Sequence, residues 1–128
     1  MRAVLLAFLS LLLVRAARAE SLWQTLPPTP ALVSEKHGGR AKINGISFYC
    51  ATIDHGSPVI LLHGGLSNSD YWGNQSKALA RRHVVIIMDS RGHRRSMGNA
   101  RPYGYDLTAD DVIALLDTLH IAKADVVG

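Results

Sequence analysis

Residues 59–62, Val-Ile-Leu-Leu, form a short apolar run without polar alternation, and the run stops at His63-Gly64-Gly65. A half-exposed strand alternates apolar and polar residues; a strand covered on both faces of a parallel sheet does not. Two glycines let the backbone turn sharply and approach a ligand, and Ser67, Asn68 and Ser69 are good helix N-caps. The expectation is strand, tight glycine turn, helix. That arrangement leaves unpaired N–H groups at the carboxyl end of a buried strand, where open α/β sheets bind ligands. An anion is stabilised there, either a phosphate or the oxyanion that develops when a carbonyl is attacked.

The same grammar recurs down the chain. Residues 83–88 give a second apolar run that ends in Asp89-Ser90-Arg91-Gly92-His93, and residues 124–128 begin a third. Between them, residues 71–82 have a helical composition. Residues 106–120 place Val112, Ile113, Leu115, Leu116 and Leu119 on one apolar face. Asp106 or Thr108 is expected to cap this second helix, and Asp110 and Asp111 suit the positive end of its dipole. Ahead of the first run, Asn44-Gly45 separates residues 41–43 from residues 46–52, a strong hairpin signal because both central residues of a type I′ turn need positive φ. In the second arm Ile46, Phe48 and Cys50 alternate with Ser47, Tyr49 and Ala51. The fold class is α/β, a β-hairpin followed by parallel β-α-β-α-β, with a largely parallel sheet.

The 128 residues accommodate one small domain, and the N-terminus is set aside from it. Arg2 supplies a positive start, residues 3–14 are apolar except for Ser10, and Ala17-Arg18-Ala19 has small-x-small spacing. This is the pattern of a secretory signal cleaved between Ala19 and Glu20, and its apolar core is too short to span a bilayer. Residues 1–19 are thus read as a signal peptide, 20–39 as a proline-containing surface leader, and 40–128 as a partial domain. The protein is expected to be secreted or periplasmic, with no membrane contact beyond the signal. Removing the signal leaves 11 Lys and Arg against 10 Asp and Glu, so the basic balance of the whole chain says little about nucleic acid. Cys50 is alone and reads as a small buried apolar residue.

The glycine turn has three readings: an oxyanion hole using the N–H of Gly65 with Leu66 as neighbour, a nucleotide site, or a plain turn. The nucleotide reading wants Gly-x-Gly-x-x-Gly, which His63-Gly64-Gly65-Leu66-Ser67-Asn68 lacks. His63 at the strand end is expected to tie down the loop. Asp89, Ser90, His93 and Ser96 invite a triad, but residues packed in one loop rarely align nucleophile, base and orienter, so Asp89 and Arg91 are read as holding the loop. Arg91, Arg94, Arg95 and Arg101 lack interleaved aromatics and read as loop scaffolding or solvated surface, not as a nucleic-acid patch. The six histidines show no metal-ligand spacing, and no cofactor is expected.

Together these residues resemble the α/β-hydrolase fold superfamily, in its esterase-like branch, from about Asn44 to Gly128. The pieces that carry the resemblance are residues 56–65 (Gly-Ser-Pro-Val-Ile-Leu-Leu-His-Gly-Gly), Ser69-Asp70-Tyr71-Trp72, residues 88–93 (Met-Asp-Ser-Arg-Gly-His) and residues 106–111 (Asp-Leu-Thr-Ala-Asp-Asp). The resemblance implies that Gly65, after His-Gly, donates an oxyanion N–H, and that the loop from Asp89 shapes the site without doing the chemistry. Arg94 stands where the family loop has glycine, at a cost of roughly 1 kcal/mol if the turn keeps a positive φ. Gly128 looks like the first glycine of the family's Gly-x-Ser-x-Gly elbow. The catalytic serine, acid and histidine are then expected beyond Gly128, with none of them in this chain. The resemblance implies a serine hydrolase of ester-like bonds acting on a small acyl substrate, of which this chain is an inactive N-terminal fragment with an unpaired, aggregation-prone sheet edge. The alternative is a secreted non-catalytic domain that keeps the fold. Oligomeric state leaves no signature in the sequence.

Overall fold

The computed structural model describes residues 27–32 and 37–128. The signal segment, the cleavage position after Ala19 and most of the leader lie outside the described residues. Five strands form one sheet: β1 (His37–Ile43), β2 (Ile46–Ile53), β3 (Ser57–Leu61), β4 (His83–Met88) and β5 (Asp125–Val127). Their spatial order is β1-β2-β4-β3-β5. The hairpin joins through antiparallel β1/β2 and β2/β4 pairs, while β4/β3 and β3/β5 are parallel. The sheet is therefore mixed, an antiparallel hairpin grafted onto a three-stranded parallel core.

Local chemistry explains the corners. Asn44 (φ 42°) and Gly45 (φ 80°) are both left-handed, as the short hairpin turn requires. Gly56 (φ 122°) leads into β3 with the Arg82 carbonyl so close that a Cβ would collide with it, so both torsion and space demand glycine there. β1 begins at His37, four residues ahead of the expected arm.

The helices cover opposite faces. A 3-10 turn, Ser69–Trp72, leads into α1 (Gly73–Leu79), and α2 spans Tyr105–Thr118. One face packs Ile43, Phe48, Ile60, Ile86 and Met88 against Leu115, Val112 and Leu116 of α2. The other packs Tyr49, Ala51, Val59, Leu61, Val85 and Ile87 against Trp72, Leu79 and leader residue Leu32. Each crossover buries a different face of the same apolar runs, which is why those runs do not alternate.

Several expectations need correction. The alternation read in the second arm separates two covered faces, since β2 lies inside the sheet and Tyr49 and Ala51 are buried as Phe48 is. The first helix is shorter than residues 71–82, because the chain enters it through the 3-10 turn, with Asn68 Oδ1 accepting from Asp70 N at 3.0 Å. In α2, Ile113 is exposed. Its N-cap is Gly104, without a side-chain cap, and the Thr108 hydroxyl donates to the Tyr105 carbonyl at 2.9 Å instead of accepting an N–H. β5 pairs with β3 on one side, and Val126 and Val127 remain exposed.

Candidate functional site

The parallel strands β3 and β4 end side by side, and the loops that follow them are built from His63 to Asn68 and from Asp89 to Ser96. Because β4 leaves to one side of β3 and β5 returns on the other, the carboxyl end of β3 is the point at which the winding reverses. β5 delivers Gly128 to that point: a Cβ on Gly128 would lie 3.2 Å from the Leu62 carbonyl oxygen.

His63 fixes the first loop. Its Nε2 lies 2.9 Å from the backbone nitrogen of Ser90, and a backbone N–H can only donate, so Nε2 accepts. The ring proton therefore sits on Nδ1, which donates to the Gly64 carbonyl at 2.8 Å. In a trans peptide the C=O and the following N–H point to opposite sides, so holding the Gly64 carbonyl toward His63 turns the Gly65 N–H away from it. Among the described residues neither the Gly65 nor the Leu66 N–H has a hydrogen-bond partner. The left-handed residue of this turn is Leu66 (φ 59°), fully exposed, and not either glycine. A Cβ on Gly64 or Gly65 would meet nothing within 4 Å, so the glycines leave open space beside these N–H groups instead of supplying the torsion.

Asp89 is the hub of the second loop. Its Oδ1 accepts from the backbone nitrogen and hydroxyl of Ser69 at 2.9 and 2.7 Å, and its Oδ2 accepts from Arg95 Nε at 2.7 Å. Burial pushes this carboxyl up, but the hydrogen bonds from Arg95 and Ser69 outweigh it and hold the group at about 2. Arg95 also reaches Asp70 at 2.9 Å and lies 3.7 Å over the Tyr49 ring. One carboxylate thus binds the 3-10 turn to the loop after β4. Arg94 keeps the turn with a positive φ of 39° and pairs with Asp70 at 2.9 Å.

Arg91 makes the second brace. It is buried and meets Asp111 of α2 bidentately, Nε to Oδ2 at 2.8 Å and Nη2 to Oδ1 at 2.7 Å. Asn44 of the hairpin turn donates to the same carboxylate at 2.9 Å. The Asp111 hydrogen bond, ahead of the opposing burial, raises the Arg91 guanidinium further. Asp111 is therefore a buried ion-pair partner and not a dipole-complementing surface residue.

The residues that invited a local triad have other partners. The Ser96 hydroxyl donates to the Asp89 carbonyl at 2.5 Å and accepts from Tyr49 N at 2.8 Å. His93 Nδ1 lies 3.1 Å from the Arg91 carbonyl oxygen, and its ring packs 5.0 Å from that of His63. No nucleophile, base and orienter stand in line among them. Ser69, Arg95 and Asp111 were missed as partners because each meets its carboxylate or guanidinium across a gap of 6 to 20 residues. For Asp111 alone a signal existed: Leu107, Asp111 and Leu115 share one face at i, i+4 spacing, and all three are buried. Among the described residues no group of three His, Cys, Asp or Glu side chains is placed to hold a metal.

A family model described as the alpha/beta hydrolase fold matches residues 57–128. RutD of Caulobacter vibrioides, named for carbamate hydrolysis, is 41% identical over 81 residues, covering 58% of this chain and 30% of that protein. The structure of the epoxide hydrolase CorEH superposes with a TM-score of 0.69 at 33% identity, over 72% of this chain and 32% of its own. Est816, described as an N-acyl homoserine lactone degrading enzyme, superposes with a TM-score of 0.66 at 35% identity, over 70% of this chain and 34% of its own. The chain spans about a third of the length of these relatives.

Proposed function

The chain belongs to the α/β-hydrolase fold family, and on that premise we propose that it carries the oxyanion-hole portion of a serine hydrolase of ester-like bonds. The observation that carries the reading is the pair of open N–H groups at Gly65 and Leu66, on the loop that leaves β3 where β5 brings Gly128 against Leu62. A nucleophile on the turn after β5 would stand next to donors already aimed outward, as acyl transfer needs. In this reading Gly65 stabilises the oxyanion with Leu66 as neighbour. His63 and Gly64 hold the loop, and Asp89 and Arg91 brace it from behind. Serine, acid and base belong to sequence after Gly128, so the 128 residues alone are inactive toward a small acyl substrate.

The named chemistries of the relatives support a carbonyl centre, because both a lactone and a carbamate offer one. The epoxide hydrolase supplies a second reading, attack at an epoxide carbon. Export follows from the signal pattern, and a secreted form beginning at Glu20 is the outcome that N-terminal sequencing should give.

A fluorophosphonate probe, which labels activated serines, tests the reading. The 128-residue chain should stay unlabelled and leave p-nitrophenyl acetate intact. A product extended past codon 128 should be labelled at a serine beyond Gly128. In that product Gly65→Pro, which deletes the N–H, should lower kcat by roughly 10²- to 10³-fold. Labelling at Ser90 or Ser96 in the short chain would overturn the assignment. A genuine stop codon after Gly128, with a stable soluble chain, would favour a non-catalytic domain, and turnover of an epoxide but no ester would move the bond class.

A further inference from the structure

We propose that His63 is a proton-sensitive latch: its neutral ring joins the loop after β3 to the loop after β4, and protonation releases the Ser90 end. The argument starts from donor and acceptor inventory. The neutral ring has one donor and one acceptor, and both are engaged, Nδ1–H with the Gly64 carbonyl and Nε2 with the Ser90 N–H. An imidazolium has two donors and no acceptor. The Gly64 bond survives protonation, but the Ser90 N–H then faces a second N–H and the contact becomes repulsive.

The Ser90 bond anchors the ring to the rigid end of β4, where Asp89 N donates to the Tyr49 carbonyl at 3.2 Å. Without it, the ring and the Gly64 carbonyl it carries lose their fixed reference, and the Gly65 N–H is no longer aimed. His63 is a positioning residue in this scheme.

The surroundings do not offset the added charge. The titratable group packed on the ring is His93, itself a potential cation, with centroids 5.0 Å apart. On the same loop the Asp89 carboxylate is engaged by Ser69 and Arg95, and Arg91 is engaged by Asp111. Asp70 of the 3-10 turn is shared by Arg94 and Arg95, and Asp125 lies level with Val59, in the middle of β3 and four residues before His63. Among the described residues no carboxylate forms an ion pair with His63.

The latch serves the oxyanion assignment and rests on it for its purpose, but its chemistry is measurable without activity. Nitrogen-15 spectra of the intact protein, taken between about pH 8 and about pH 5 where an imidazole changes charge, provide the test. The ring nitrogens of His63 should report the Nδ1–H form at the upper end. On acidification the Ser90 amide proton should move upfield, and the Gly65 amide should shift, both with the midpoint of the His63 ring. His63→Gln, whose side-chain oxygen can accept from Ser90 without titrating, should hold both amides flat. His93→Gln should leave the coupled titration in place, and needs no change at His63 if that substitution fails to fold. An Nε2–H tautomer at the upper end, a flat Ser90 amide while His63 titrates, or loss of the effect in His93→Gln would overturn the latch. Coupled titration in a protein whose extended form lacks esterase activity would keep the latch and remove the oxyanion role. An active enzyme with a flat Ser90 amide would do the reverse.

Discussion

Asp89 is the residue at which burial and pairing oppose each other most directly. It has no exposed surface, yet five donors from Ser69 and Arg95 converge on its two oxygens. Its carboxyl is therefore held at about 2, below the value of about 3.9 for an unfolded aspartate. A depressed native value stabilises the fold above the unfolded value, and that contribution disappears as pH falls through the native one. Stability from Asp89 should be fully present above about pH 4 and lost progressively toward about pH 2. Urea midpoints measured across that interval for the protein and for Asp89→Asn check this. The variant should be weaker at neutral pH and should have a flatter acid limb. Parallel acid limbs would mean that other carboxylates carry the pH dependence.

The elements show where local sequence decides and where context does. Strands β3 and β4 were legible because their short β-branched apolar runs stop at glycine-containing turns, as strands covered on both sides do, and Asn44-Gly45 marked the hairpin turn itself. The entry to α1 was not legible, because nothing in Tyr71-Trp72-Gly73 distinguishes a 3-10 turn from the first turn of an α-helix. Gly73 is there for a tertiary reason: the Pro30 carbonyl of the leader lies against it where a Cβ would stand. The end of α2 was also unmarked by glycine. It closes in a Schellman arrangement, with His120 N donating to the Asp117 carbonyl at 3.0 Å and Ile121 N to the Leu116 carbonyl at 2.9 Å. The left-handed residue is His120, φ 57°, exposed, where glycine is usual. His120→Gly should therefore raise stability by up to about 1 kcal/mol, since it removes the Cβ strain and no buried contact. Thermal or urea unfolding would show it, and a loss of stability would mean that the imidazole makes a compensating contact.

At the scale of the whole molecule, two carboxylates hold the carboxyl end of the sheet together, and the sequence hinted at the burial of Asp111 but at neither carboxylate's partner. The order of elements gave the α/β class, but side-chain partners 20 or more positions apart depend on how α2 lies across the sheet. Asp111 makes the longer connection, joining α2, the loop after β4 and the hairpin turn through Arg91 and Asn44. Both members of the Arg91–Asp111 pair are almost wholly buried, with 1% and 2% of their side chains exposed. Such a pair adds little net stability over apolar residues, because desolvating two charges offsets their attraction, but removing one partner strands the other. Asp111→Ala should consequently cost about 3–5 kcal/mol and detach α2 from the loop, detected as a lower urea midpoint and as faster amide exchange along Tyr105–Thr118. The double replacement Arg91→Met with Asp111→Leu should recover most of that loss. If the double variant is as weak as the single one, the three-way connection through Asn44 and the shape of the pair, and not the stranded charge, hold these elements together.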